Sequence, residues 1–189
     1  GYSDLAIGVA ALMGYELKDN FNFPYQSLNL TEFWHRWHIA LSTWFRDYLY
    51  IPLGGNRKGA LRTYLNSFLA MIVAGLWHGA SWIFILWGVL HGMGLVIHKF
   101  CLNNGLNKIP NNTYVKVVSW LITFCYVSFA WIFFRANNID SAIELISHII
   151  HETHLSDAYT FLMSYPVWLL LVLISLELHS IRKTDYDWL

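Results

Sequence analysis

Residues 61–76 and 80–99 are two apolar stretches that meet around His78, with Gly75 and Gly79 on either side of it. Together they exceed the roughly 20 residues that one membrane span requires, so the run must bend or divide at bilayer depth. The composition agrees. Hydrophobic residues make up 56% of the 189 positions and charged residues only 13%, against about 25% charge in a soluble domain. The pattern predicts an all-α, polytopic membrane protein with a partial helical bundle and interfacial or re-entrant helices. Formal net charge is zero, so there is no electrostatic footprint for nucleic acid and no such partner is expected.

His78 is the first candidate functional residue. An ionisable side chain in a span costs about 2.5 kcal/mol or more unless it faces a polar cavity or a partner. Imidazole is also suited to proton transfer near neutral pH. The structural alternative is a hydrogen bond from this ring to a carbonyl exposed at the glycine bend. Asn66, some three turns earlier, is either a polar partner in the bundle or a packing residue.

Residues 3–15 have the character of the end of an apolar helix, and 16–30 of a polar, aromatic loop. A helix over 31–49 follows, with Asn29 or Thr31 as N-cap. At helical spacing Trp34, Trp37, Leu41, Trp44, Phe45 and Tyr48 fall within an arc of about 100°. Glu32, Arg36, Arg46 and Asp47 lie elsewhere. Aromatic residues opposite charges predict an interfacial or re-entrant helix. His38 borders the two faces and is the second candidate site residue; His35 reads as an interfacial polar residue. His38 and His78 are expected to point into a common inward cavity, because neither belongs in lipid.

A tight basic loop spans 52–59. It is either a positive-inside loop or a contact for donor phosphates, and it lacks the P-loop pattern. Residues 102–113 form a loop, 115–134 the cleanest span, and 138–151 an amphipathic segment. A shorter apolar segment over 165–178 ends at the interface near Glu177 and His179, with Arg182 and Lys183 beyond. His91 is expected to line the same cavity as His78, and His98 with Lys99 to anchor the interface. His148, His151 and His154, spaced by three, drift around a helix and do not converge on a metal. His35 and His38 lack further ligands, and no metal is expected. Cys101 and Cys125 are not expected to pair. No Gly-x-Ser-x-Gly elbow supports serine catalysis.

Several stretches taken together resemble the membrane-bound O-acyltransferase family, most closely its alginate O-acetyltransferase branch. They are Asn20-Phe21-Asn22-Phe23-Pro24-Tyr25, Thr31-Glu32-Phe33-Trp34-His35-Arg36-Trp37-His38, Ile51-Pro52-Leu53-Gly54-Gly55-Asn56-Arg57 and Gly75-Leu76-Trp77-His78-Gly79-Ala80-Ser81-Trp82. The match is dense from 1 to about 100 and looser beyond. The resemblance implies that His78 is the family's catalytic histidine and His38 its second functional histidine. The chain opens Gly1-Tyr2-Ser3-Asp4 without an initiator Met. It is expected to be one membrane domain, the C-terminal part of a longer chain whose N-terminal spans are missing.

The expected activity is O-acyl transfer, with His78 as general base removing a hydroxyl proton as the oxygen attacks the acyl carbon. No tightly bound cofactor is expected; the acyl donor, acetyl-CoA or similar, is a substrate arriving from the cytoplasm. The acceptor is a hydroxyl of an exported polysaccharide, reached directly or through an extracytoplasmic acyltransferase partner. The lipid membrane is the other partner, and the bacterial inner membrane the expected location. The sister branch that moves D-alanine toward teichoic acid shares the Phe-Trp-x-Arg-Trp-His and Trp-His-Gly elements, and D-alanyl transfer is the alternative. A transporter or channel component with a proton-relay histidine is the non-enzymatic one.

Overall fold

The structure is a computed structural model that describes residues 2–106, 109–110, 112–152, 155–164, 167 and 170. Among these residues it is all-helical, with no strand. The elements are α1 (Tyr2–Leu12), α2 (Leu30–Arg36), α3 (Ile39–Phe45), α4 (Ala60–His78), α5 (Trp82–Asn103), α6 (Thr113–Arg135), α7 (Ile139–His151) and α8 (Leu155–Ser164). The chain falls into two compact units, 1–142 and 143–189. Among the described residues three helices, α4, α5 and α6, are long and apolar enough to cross a membrane. The expected apolar segment over 165–178 lies outside the described residues apart from Val167 and Leu170.

The first unit is built on an α4–α5 hairpin. Contacts move from Gly75 with Phe84 and Gly88 back to Phe68 with Gly92, so the helices are antiparallel. Glycine makes this contact close. A Cβ on Gly75 would lie 2.2 Å from the Phe84 carbonyl oxygen, and one on Gly88 would lie 2.5 Å from that of Met71. In lipid, helices associate through such small-residue packing rather than hydrophobic exclusion. Gly75 is therefore a packing surface inside an unbroken α4, not the expected bend. The chain divides after His78, where Gly79 adopts φ 157° and Ser81 leads into α5.

α6 packs on the other side of α5. Its Tyr126 hydroxyl donates to the Leu90 carbonyl at 2.6 Å, and Val127 and Ala130 are buried. Asn112 caps α6 by accepting the Val115 N–H at 2.9 Å, a standard N-cap bond. α2 lies against α5 with Leu30 and Phe33 in the core. By contrast, none of the residues of α1 is buried. In the second unit the His148 Nδ1 lies 2.6 Å from Glu152 Oε2 on the exposed surface of α7.

The single helix expected over 31–49 is instead broken at Trp37–His38. Asn29, the expected cap, starts α2 by accepting the Glu32 N–H at 2.8 Å. Trp37 then turns extended, and His38 takes the left-handed conformation at φ 45°, ψ 56°. The 16–30 loop stabilises the break. The Asn20 carbonyl accepts the Ile39 N–H at 2.8 Å, and the Asn22 N–H donates to the Arg36 carbonyl at 2.9 Å. Asn20 Oδ1 accepts the Ala40 N–H at 3.0 Å. Groups that a continuous helix would satisfy internally are thus paired with a neighbouring segment. Beyond α3 the chain widens into a π-helical turn, Arg46–Tyr50, before the glycine loop.

Candidate functional site

His78 closes α4, and its ring sits in an aromatic enclosure. Phe134 lies 4.9 Å away and Trp87 5.2 Å away, both edge-on, with Trp77 at 5.0 Å. The ring also lines a cavity of about 500 Å³ walled by α2, α3, α4 and α5. Trp34, Ser42, Phe45 and Ala74 are among its walls. His78 makes no hydrogen bond with any described residue. The carbonyl-bonded structural role raised from the sequence is therefore not what the ring does here. Its nitrogens remain available to a molecule in the cavity.

His38 does not line this cavity. Its ring packs on Phe21 at 5.9 Å and on Trp77 at 6.4 Å. Trp77 thus touches both histidines. The His38 Nδ1 is buried and has no hydrogen-bond partner. The left-handed backbone aims this side chain, a conformation that costs about 1–3 kcal/mol in a non-glycine residue and persists where its surroundings impose it.

His91 differs from expectation: it is off the cavity wall and is 0% exposed. Its Nδ1 accepts the Trp34 indole N–H at 3.3 Å, and its ring lies 4.8 Å from Trp87. It therefore orients two aromatic walls of the cavity from behind. His98 is not merely an interface anchor either. Its Nδ1 lies 2.9 Å from the Thr31 hydroxyl and ties α5 to the first turn of α2. His35 is exposed and contributes to the cavity lining.

Asn66 is not a partner of His78. Its carboxamide is fully buried and donates to the Gly55 and Leu53 carbonyls at 2.9 and 3.3 Å, fastening the basic loop to α4. The loop turns on left-handed Gly54 and Gly55. Among the described residues no group of three potential metal ligands exists. His154, the third member of the histidine triplet, lies outside them. Cys101 and Cys125 are both free.

The opposite end of the cavity is cationic. Arg46 lies on one wall and forms an ion pair with Asp47 at 2.7 Å. That guanidinium holds the Asp47 carboxyl below the usual carboxylate range, chiefly by hydrogen bonding. Lys99 lies on the other wall beside Ser67 and Tyr50. Lys99 is a site residue not expected from the sequence. The available signal was a lysine four positions inside the end of a span, which also fits an ordinary interface anchor.

A family model described as "MBOAT, membrane-bound O-acyltransferase family" matches residues 1–139. The chain is 54% identical over 142 residues to a probable alginate O-acetylase of Pseudomonas fluorescens, covering 75% of this chain and 28% of that protein. It is 45% identical over 150 residues to a peptidoglycan O-acetyltransferase of Helicobacter pylori, covering 79% of this chain and 28% of that protein. A teichoic acid D-alanyltransferase of Streptococcus thermophilus is 36% identical over 152 residues, 71% of this chain and 37% of that protein. The chain thus spans 28% of the length of the two O-acetyl-transferring relatives.

Proposed function

The chain belongs to the membrane-bound O-acyltransferase family, and from that premise we propose that it forms the catalytic part of a bacterial inner-membrane O-acyltransferase. The enzyme moves an acetyl group from a cytoplasmic donor, acetyl-CoA or similar, toward hydroxyls of an exported polysaccharide. The observation that carries the reading is the His78 imidazole, free of hydrogen bonds to any described residue on the wall of a cavity between α2, α3, α4 and α5.

In this reading His78 accepts the proton of the attacking hydroxyl as the new C–O bond forms. The bond between the acyl carbon and the donor breaks, and the imidazolium returns its proton to the leaving group. Water would compete for the same acyl carbon. The Trp87, Phe134 and Phe84 rings around His78 restrict its access. His38 packs on Trp77, the ring that also touches His78, and in this reading acts as the second functional histidine beside it. Delivery through an extracytoplasmic acyltransferase partner fits this layout as well as direct transfer.

Acetyl is favoured over D-alanyl because the acetyl-transferring relatives match at 45% and 54% identity against 36%. The test is reconstitution of the full-length protein in proteoliposomes, supplying acetyl donor inside and a hydroxylated acceptor outside. Donor-dependent acetyl ester on the acceptor supports the reading. Solute flux without ester formation would replace it with a transporter.

A further inference from the structure

Lys99 is a cation inside a membrane span whose charge no carboxylate answers among the described residues. Arg46, on the same cavity, differs, because Asp47 neutralises it. A lysine near the end of a span ordinarily extends its ammonium outward to the interface. Lys99 turns inward instead. Its Nζ donates to Ser67 Oγ on α4 and lies 5.1 Å from the Tyr50 ring centroid. Ser67 is prepared for that contact. Its own hydroxyl proton goes to the Thr63 carbonyl at 2.8 Å, which leaves its oxygen lone pairs facing the ammonium. Of the three ammonium N–H groups, one is committed to Ser67, and others remain for a molecule in the cavity.

We propose that Lys99, held by Ser67 and Tyr50, is an anion subsite at the opposite end of the His78 cavity, taking a phosphate or carboxylate of a substrate whose reacting group lies at His78. Ser67 and His78 are eleven positions apart on α4, about 16 Å of axial rise at 1.5 Å per residue. A ligand that used both ends at once would carry its anionic group about that far from its acyl carbon or its hydroxyl. An uncompensated ammonium in a low-dielectric site attracts an anion far more strongly than the same charge in water. In naming a reacting substrate as the source of the anion, the proposal rests on the acyl-transfer reading.

The full-length protein in lipid nanodiscs provides the test. Coenzyme A, a phosphate source, and a uronic-acid trisaccharide, a carboxylate source, are titrated calorimetrically into wild type, Lys99→Arg, Lys99→Met and His78→Ala. At least one probe should bind wild type and Lys99→Arg and weaken about tenfold or more in Lys99→Met, the loss of a charge-assisted hydrogen bond. The arm that weakens identifies which substrate brings the anion.

Failure of both probes to bind wild type, or unchanged binding to Lys99→Met, overturns the subsite. Should Lys99→Met not accumulate, Lys99→Gln, which keeps a polar side chain without the charge, decides. Weakened binding to Lys99→Gln supports the subsite, and wild-type affinity overturns it. Unchanged acetyl transfer in His78→Ala would instead remove the acyl-transfer reading and leave the subsite standing.

Discussion

The side-chain oxygen of Asn20 accepts the backbone N–H of Ala40 at 3.0 Å, and this bond caps a helix from a segment twenty residues away. The same asparagine's carbonyl takes the Ile39 N–H. Between them these two bonds start α3 immediately after left-handed His38. The aim of the His38 ring therefore depends on a loop residue with no ring or charge of its own.

Asn20→Ala should remove the side-chain cap and cost about 1 kcal/mol, the usual value of an N-cap. Asn20→Asp keeps the acceptor and should retain most of that stability. Thermal unfolding of the purified membrane protein measures both. Acetyl transfer should fall in Asn20→Ala at temperatures where the protein is still folded, because His38 loses its aim. Full activity in Asn20→Ala would show that the break at His38 is held by the backbone contacts alone.

The membrane spans were legible in the sequence because bilayer thickness imposes a length and a polarity that no tertiary contact needs to supply. The end of α4 was legible too, since His78-Gly79 combines a polar group with a residue free to adopt φ 157°. The break in 31–49 was not. Trp37 and His38 fit a helical aromatic arc, and only pairing with Asn20 and Asn22 overrides it. Gly75 carried the same ambiguity. A glycine in an apolar helix permits either a bend or a close approach, and the choice depends on Phe84 of the next helix.

The hairpin predicts a sharp contrast between glycines. A methyl group at Gly75 collides with the Phe84 carbonyl and crowds the Gly88 backbone, whereas one at Gly8 meets nothing within 4 Å. Gly75→Ala should therefore lower stability by about 1–3 kcal/mol, as overpacking does, and reduce the protein recovered from membranes. Gly8→Ala should be neutral. Equal recovery of the two variants would contradict the packing of α4 on α5.

Trp34→Phe should remove the indole N–H that His91 accepts and leave that fully buried nitrogen without its donor. The expected cost is about 1–3 kcal/mol. Because Trp34 and Trp87 both line the cavity and both touch His91, substrate binding should weaken with it. The readout is KM against kcat for acetyl transfer together with Tm. A variant with unchanged Tm and KM would show that His91 does not order the cavity wall.

His98→Ala should be destabilising, because His98 and Thr31 join α5 to α2. His151, exposed at the end of α7, is the appropriate silent control. Protein recovered from membranes and Tm separate the two. A silent His98→Ala variant would reduce that contact to an interface anchor.

The proposed acyl transfer depends above all on His78 as its base. The most direct measurement is ester-linked acetate on the exported polymer, normalised to full-length protein in the membrane, for wild type, His78→Ala and His151→Ala. A loss of about 10²–10⁴-fold is expected in His78→Ala, the range a general base contributes, with protein level unchanged and His151→Ala equal to wild type. Near-normal acetate from a His78→Ala protein present at wild-type amount would contradict it.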